Sequence, residues 1–303
     1  MSTRDKDSRL SRSLRSLYFS GGIAKALLAA PVALRRKYID RVNAPAMKTA
    51  ENAARRIGGD VVLDLPEFAG RFACSPKSHL FRRIILHDRY EPEVTALIRK
   101  HIDPQRDMID VGANVGFFTM LGASLLRDGR VLAIEPSAEA FARLSQNITA
   151  NGRDDRVIAF NGAATAGAGA GQAILHEIAG KEEYASMKPV SHPATKGDSV
   201  GQSQVQTSTI DLLSRQHSLS PGLIKIDVEG AEALVLEGAA QTLAQHRPVI
   251  LCELARDLLS GFGSSPETII AMIEELDYQI MDAADPARAP DTRMHGEILC
   301  MPR

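Results

Sequence analysis

Short apolar runs alternate with amphipathic stretches throughout residues 105–303, and that alternation leaves few folds open to the chain. Residues 108–111, 130–135, 156–160, 223–228 and 248–253 read as strands buried on both faces. Between them, 115–126, 138–150, 231–243 and 266–276 place apolar residues at helical spacing. Strands that follow one another through helices pair in parallel by right-handed crossovers. The expected fold class is therefore α/β, a doubly wound, mostly parallel sheet. The runs 278–283 and 296–301 have no helix between them and are expected to close the sheet as an antiparallel edge.

Two regions depart from this rhythm. Residues 162–221 are too many for a simple crossover, open with Gly167-Ala-Gly-Ala-Gly171, and contain β-like runs at 173–178 and 204–209. Loops of such length are commonly functional or disordered. Upstream, the β-prone runs 61–65, 71–74 and 83–86 are separated by Pro66, Gly70 and Pro76, which predicts a small β cap. Residues 92–101 predict a helix stopped by Asp103-Pro104. The expected organisation is a basic helical or partly disordered extension over 1–57, a β cap with its leading helix over 58–104, and a main domain over 105–303 carrying the insert 162–221.

Hydrophobic residues make up 44% and charged residues 24% of the chain, which argues against disorder throughout. No apolar run approaches the roughly 18–20 residues of a bilayer-spanning helix. The net charge of -1 hides an asymmetry, because residues 1–56 hold 13 Lys/Arg against 4 Asp/Glu, leaving 23 of 36 and 33 of 37 for the rest. A basic head of this kind fits a solvated extension or a peripheral membrane or protein contact, and it is neither a clean secretory signal nor a transit peptide. With few aromatics and no recognisable module it does not suggest nucleic-acid binding. Cys74, Cys252 and Cys300 include no Cys-x-x-Cys pair, so neither a zinc site nor a disulfide framework is indicated and a cytoplasmic location is expected.

The segment Asp110-Val-Gly112-Ala-Asn114-Val-Gly116-Phe117-Phe-Thr119 falls where a strand turns into a helix. Glycines there let the backbone approach a ligand and take dihedrals closed to other residues, although a tight turn in any doubly wound protein would also use them. The spacing departs from the Gly-x-Gly-x-x-Gly of dinucleotide sites. Glu135 ends the second strand 25 positions later (135 minus 110), where a carboxylate can accept both hydroxyls of a ribose. Two acids at the carboxyl ends of strands suit a nucleoside without a pyrophosphate. S-adenosylmethionine, with its positive sulfonium, is the expected ligand.

Several separated segments carry a likeness to one family. They are Tyr90-Glu91-Pro92, Ile109-Asp-Val-Gly-Ala-Asn-Val-Gly-Phe-Phe118, Ala133-Ile-Glu-Pro136 with Asn147, Thr209-Ile-Asp-Leu-Leu213, Leu223-Ile-Lys-Ile-Asp-Val-Glu-Gly-Ala-Glu232 and Arg247-Pro-Val-Ile-Leu-Cys-Glu253. Over residues 88–301 the chain resembles the FkbM-type family of class I S-adenosylmethionine-dependent methyltransferases. The resemblance implies the seven-stranded, Rossmann-like methyltransferase sheet and O-methylation of a hydroxyl on a sugar, glycan or secondary-metabolite acceptor. It further implies that Asp110, Gly112, Asn114, Gly116 and Phe117 line the methionine moiety and that Glu135 and Pro136 hold the ribose. Asn161 to Ala164 would border the adenine, with Asn161 standing where many related enzymes have an acid. Glu91 would close the pocket, or else serve as a carboxylate favoured at a helix N-terminus.

On a strand, Lys225, Asp227 and Glu229 share one side by period two, opposite Ile224, Ile226 and Val228. Charges on a central strand make either a structural Lys–acid network or a group beside the transferable methyl. In the second reading Asp227 positions the acceptor, Asp227 or Glu229 takes the hydroxyl proton, and Lys225 fixes the acid. Orientation can supply about 7–11 kcal/mol of the barrier, more than a base's usual 10²–10⁴-fold, so the base need not dominate. His79, His87 and His192 are alternatives from the cap and insert, which together are expected to form the acceptor side. Asp227, Glu229 and Glu253 offer oxygen ligands for a divalent cation, but metal-free transfer is the expectation. The rival readings are a non-catalytic nucleoside-fold binding or scaffolding protein that uses its basic head, and then a nucleotide-dependent oxidoreductase.

Overall fold

The computed structural model describes residues 59–87, 89–167, 171–178, 182–189, 199–293 and 296–303. The extension expected over 1–57 and the candidate His192 lie outside the described residues, as does the side chain of His87. The chain divides into two units, the described residues up to Pro92 with Thr149–Asn151, and Glu93–Ile148 with Gly152–Arg303.

In the first unit, β1 (Val61–Leu65) and β2 (Gly70–Cys74) pair antiparallel from Val61↔Cys74 to Leu65↔Gly70. Val61, Leu63 and Leu65 are buried and the residues between them partly exposed, as alternation dictates for a one-sided hairpin. Asn151 grips the second strand, with its Oδ1 accepting from Arg71 N at 2.9 Å and its Nδ2 donating to Arg71 O at 2.7 Å. The run 83–86, expected as a strand, instead lies inside helix α1 (His79–His87). Ser78 explains the difference, because its hydroxyl accepts from Phe81 N at 3.1 Å and starts a helix that buries Leu80, Phe81 and Ile84 together. The next helix, α2 (Pro92–His101), belongs to the second unit from Glu93 onward and buries Val94, Leu97 and Ile98 at the expected spacing.

In chain order the second unit's strands are β3 (Asp107–Val111), β4 (Val131–Glu135), β5 (Val157–Asn161), β6 (Ala163–Ala164), β7 (Gly171–Glu177), β8 (Gly201–Ser208), β9 (Pro221–Ile226), β10 (Val249–Leu254), β11 (Tyr278–Asp282) and β12 (Gly296–Pro302). A seven-stranded sheet runs β11-β12-β10-β9-β3-β4-β5, parallel except for β12, and a second sheet runs β6-β8-β7 inside the insert. This is the class I methyltransferase, Rossmann-like order. The last two strands close one margin of the sheet as an antiparallel pair, as expected, with β11 outermost. The last strand slots between β10 and β11 and pairs antiparallel with both. At the other margin β5 does not bury both faces: Ile158 and Phe160 pack partly buried against the core while Ala159 and Asn161 are exposed.

The helices of this unit are α3 (Phe117–Leu125), α4 (Ala138–Ala150), α5 (Ile210–His217), α6 (Glu232–Glu237), α7 (Ala240–His246), α8 (Arg256–Gly261) and α9 (Pro266–Glu274). The single helix expected over 231–243 is two. Gly238 breaks it, since a Cβ there would lie 2.1 Å from Thr165 O, and the Asp211 carboxylate caps the next turn, accepting from Gln241 N at 3.0 Å and Thr242 N at 2.7 Å. Period two then sorts the sheet. Ile109, Val111, Leu132, Ile134, Ile224, Ile226, Ile250 and Cys252 join one core with residues of α5, α6, α8 and α9. Met108, Asp110 and Lys225 belong to the other side, where Gly122 of α3 sits close against Met108. No helix among the described residues is long and apolar enough to cross a membrane.

Candidate active site

β3 leads into a loop where Gly112, Asn114 and Gly116 take φ of 76°, 50° and 93°. Glycine is required at 112, because an added Cβ would lie 1.8 Å from the backbone oxygen of Asp227. Gly112 N and Ala113 N both donate to Ile134 O at 3.0 Å, which lays the loop over the end of β4. There the Glu135 carboxylate accepts from Asn114 N at 2.7 Å through Oε2 and from Ser137 N at 2.8 Å through Oε1. Asn161 Nδ2 donates to Glu135 O at 2.9 Å and Pro136 O at 3.3 Å, so the ends of β3, β4 and β5 are tied together. Buried Asn147 of α4 completes the frame, donating to Val115 O at 2.8 Å.

Beneath this loop Asp110 is 0% exposed. Its Oδ2 accepts from the Thr119 hydroxyl at 2.6 Å, whereas Oδ1 has no hydrogen-bond partner. Burial raises the carboxyl above its ordinary range, and the Lys225 charge and the Thr119 hydrogen bond oppose that rise. Phe117, buried at the start of α3, meets Phe118 edge-to-face at 5.2 Å. Ala164 is buried in β6 and packs in the sheet core. Pro136 is half-buried beside Glu135. Glu91 lies in the first unit, at φ 38°, directly before α2. The donor set fits a nucleoside carrying a cationic sulfur. It offers buried carboxyls, one with an unpartnered oxygen, around a glycine loop, and it suits a pyrophosphate poorly.

Lys225 is the register partner of Asp110 on the neighbouring strand and shares its face. Only 3% exposed, it lies 3.0 Å from Asp227 Oδ2 and 4.9 Å over the Phe118 ring. β9 stops at Ile226, so Asp227 and Glu229 are not strand residues and the expected alternation ends before them. They occupy a turn with Glu229 at φ 52° and Gly230 at φ 103°. Asp227 N donates to Val111 O at 3.1 Å, while Glu232 Oε1 accepts from Val228 N at 3.3 Å and Gly230 N at 3.1 Å. This turn brings carboxylate oxygens of Asp227, Glu229 and Glu253 within 4.8 Å of one another, an arrangement able to hold a divalent cation or to bond hydroxyl groups.

Burial, followed by the charges of Asp227, Glu253, Glu232 and Glu183, pushes the Glu229 carboxyl up to about 9. Glu229 therefore carries a proton at neutral pH. Burial likewise lifts Glu232 to about 7, against the pull of its backbone hydrogen bonds. Of the histidine alternatives, His79 accepts from Arg83 Nε at 3.2 Å in the first unit. Sequence reasoning gave no role to Thr119, Ser137, Glu232 or Ser186, although Thr119 and Glu232 end two of the segments it quoted. Thr119 and Ser137 were within reach of the strand–turn–helix pattern, whereas Ser186, whose hydroxyl donates to Glu229 O at 3.2 Å, lies in the insert without a local signal.

The model of the methyltransferase FkbM domain matches residues 110–280. A search of curated proteins gives no match. Among solved structures, the chain is similar to the methyltransferase FkbM from Methylobacillus flagellatus KT, with 14% identity, 98% of this chain and 58% of that chain covered, and a TM-score of 0.41. It is also similar to an O-methyltransferase from Bacillus cereus in complex with SAH, with 14% identity, 90% and 100% coverage, and a TM-score of 0.40. A third is the precorrin-6y C5,15-methyltransferase from Geobacter metallireducens GS-15, with 11% identity, 70% and 88% coverage, and a TM-score of 0.39.

Proposed function

The chain belongs to the FkbM methyltransferase family, and from that premise we propose that it O-methylates a hydroxyl of a sugar, glycan or secondary-metabolite acceptor. Its donor is S-adenosylmethionine, which when bound supplies an electrophilic methyl on a sulfonium. Asp110, Gly112, Asn114, Gly116 and Phe117 would hold the methionine end, Glu135 and Pro136 the ribose, and Asn161 the adenine side.

The observation that carries this reading is the side-by-side burial of Asp110 and Lys225 on adjacent parallel strands, with Lys225 paired to Asp227 on the turn that follows. The buried Asp110 carboxyl is thereby joined through Lys225 to a carboxylate on the neighbouring turn. Asp227 takes the proton that the acceptor hydroxyl gives up as its oxygen is methylated. Lys225 holds that carboxylate in one orientation, and Glu229, protonated at neutral pH, donates a hydrogen bond to a second acceptor oxygen. Most of the rate then comes from alignment in a preorganised site. The reading includes a reducing, cytoplasmic setting, supported by the three buried thiols Cys74, Cys252 and Cys300.

Calorimetry with S-adenosylhomocysteine, combined with a methyl-labelled donor assay over hydroxyl acceptors, tests the reading. Binding by the wild type is expected. Asp110→Asn should weaken it about 10- to 100-fold, the worth of a charge-assisted hydrogen bond, while circular dichroism stays unchanged. Unaltered affinity in that variant, or S-adenosylhomocysteine binding without turnover on any hydroxyl acceptor, would overturn the assignment.

A further inference from the structure

Among the described residues of the insert, Ser186 reaches the turn that carries Glu229. Ser186, 9% exposed, bridges to β7, with His176 N donating to Ser186 O at 2.8 Å and Ser186 N donating to His176 O at 2.9 Å. Its hydroxyl donates to the backbone carbonyl of Glu229 at 3.2 Å and accepts from Lys188 N at 3.3 Å. The Lys188 ammonium in turn stands 5.6 Å over the ring of Phe262, the residue that follows α8. A Cβ on Gly230 would come within 3.0 Å of that same ring. Three segments remote in sequence therefore converge on the turn that carries Glu229.

Glu229 needs such support. Its φ of 52° is left-handed, which a residue with a Cβ keeps only when its surroundings hold it. Glu232 grips the turn from α6 through Val228 N and Gly230 N. Ser186 grips it from the insert through the Glu229 carbonyl, which lies between those two amides. Its double bridge to β7 makes that grip part of a sheet instead of a loose loop.

We propose that Ser186 is a positioning residue for the transfer and that residues 183–189 form the acceptor-specificity segment. Through the Ser186 hydroxyl the insert sets the turn so that the Glu229 carboxyl stays beside Asp227 and Glu253. The donor loop over 110–117 is untouched by this link. The inference rests on the reading of Asp227 and Glu229 as the acceptor side.

Residue-resolved amide hydrogen exchange on the full chain tests the link without any acceptor. Ser186→Ala is expected to speed exchange at Gly230 and Ala231 about tenfold, the effect of one lost hydrogen bond, and to leave Asp227 N, bonded to Val111 O, as in the wild type. Ser186→Thr keeps the hydroxyl and should restore wild-type exchange. Calorimetry with S-adenosylhomocysteine, expected to be unchanged in both variants, reports an intact fold. In the methyl-transfer assay Ser186→Ala should raise the acceptor KM and leave the donor KM alone, whereas a general structural defect would move both. Wild-type exchange at Gly230 in Ser186→Ala, or faster exchange that Ser186→Thr fails to restore, would overturn the proposal. Failure of the underlying reading looks different. It appears as undiminished turnover in Asp227→Asn, with the exchange result standing.

Discussion

Two carboxyls only a turn apart carry opposite assignments, and their surroundings decide which does what. Asp227 faces the Lys225 ammonium at 3.0 Å, whereas Glu229 is enclosed among other acids and pushed up to about 9. Asp227→Asn should therefore lower turnover by about 10²–10⁴-fold, the usual worth of a general base, without changing S-adenosylhomocysteine affinity in calorimetry. Glu229 makes a separate prediction about stability. Its folded-state value exceeds the ordinary 4.5, so between pH 4.5 and 9 the folded chain keeps a proton that the unfolded chain releases. Stability is thus lost as pH rises through that window. Glu229→Gln removes the titration, and urea unfolding at pH 5, 7 and 8.5 should show its advantage over the wild type growing at each step. A constant difference across the series would reject the protonated Glu229.

At the scale of elements, the link from β3 into α3 depends on a backbone no other residue can follow. Gly112→Ala adds a Cβ 1.8 Å from Asp227 O at φ 76°, combining overpacking with a left-handed penalty. Urea unfolding of that variant should show a loss of about 2–5 kcal/mol, summing the two effects. The strands β3, β4, β9 and β10 and the helices α2, α3, α4 and α9 follow from apolar periodicity, which is local and survives in the bare sequence. The failures have non-local causes. Residues 231–243 have continuous helical spacing, yet Thr165 closes on Gly238 and Asp211 caps a new start, both from distant parts of the chain. Residues 83–86 are β-prone one by one, but the Ser78 cap and the joint burial of Leu80, Phe81 and Ile84 outweigh that preference.

At the scale of the whole molecule, the proposed donor site links ligand binding to folding, because the loop over 110–117 joins the ends of β3, β4 and β5. S-adenosylhomocysteine at 100 times its Kd should stabilise the protein by about 2.7 kcal/mol, seen as a rise in Tm, and NAD should produce none. An unmoved Tm with S-adenosylhomocysteine, or a rise with NAD, would contradict the donor assignment. The alternating pattern and the run from Asp110 to Phe117 were enough, by themselves, to determine the doubly wound sheet, the glycine turn after its first strand and the acids at its strand ends. Periodicity and glycine placement act over a few residues, and a reader of the chain can follow them. Tertiary structure alone decided that Asp110 and Lys225 lie side by side and that Ser186 reaches the Glu229 carbonyl from the insert. Those relations depend on strand order and on a loop's path, and the environment that protonates one carboxyl and pairs another with lysine exists only once distant segments have packed.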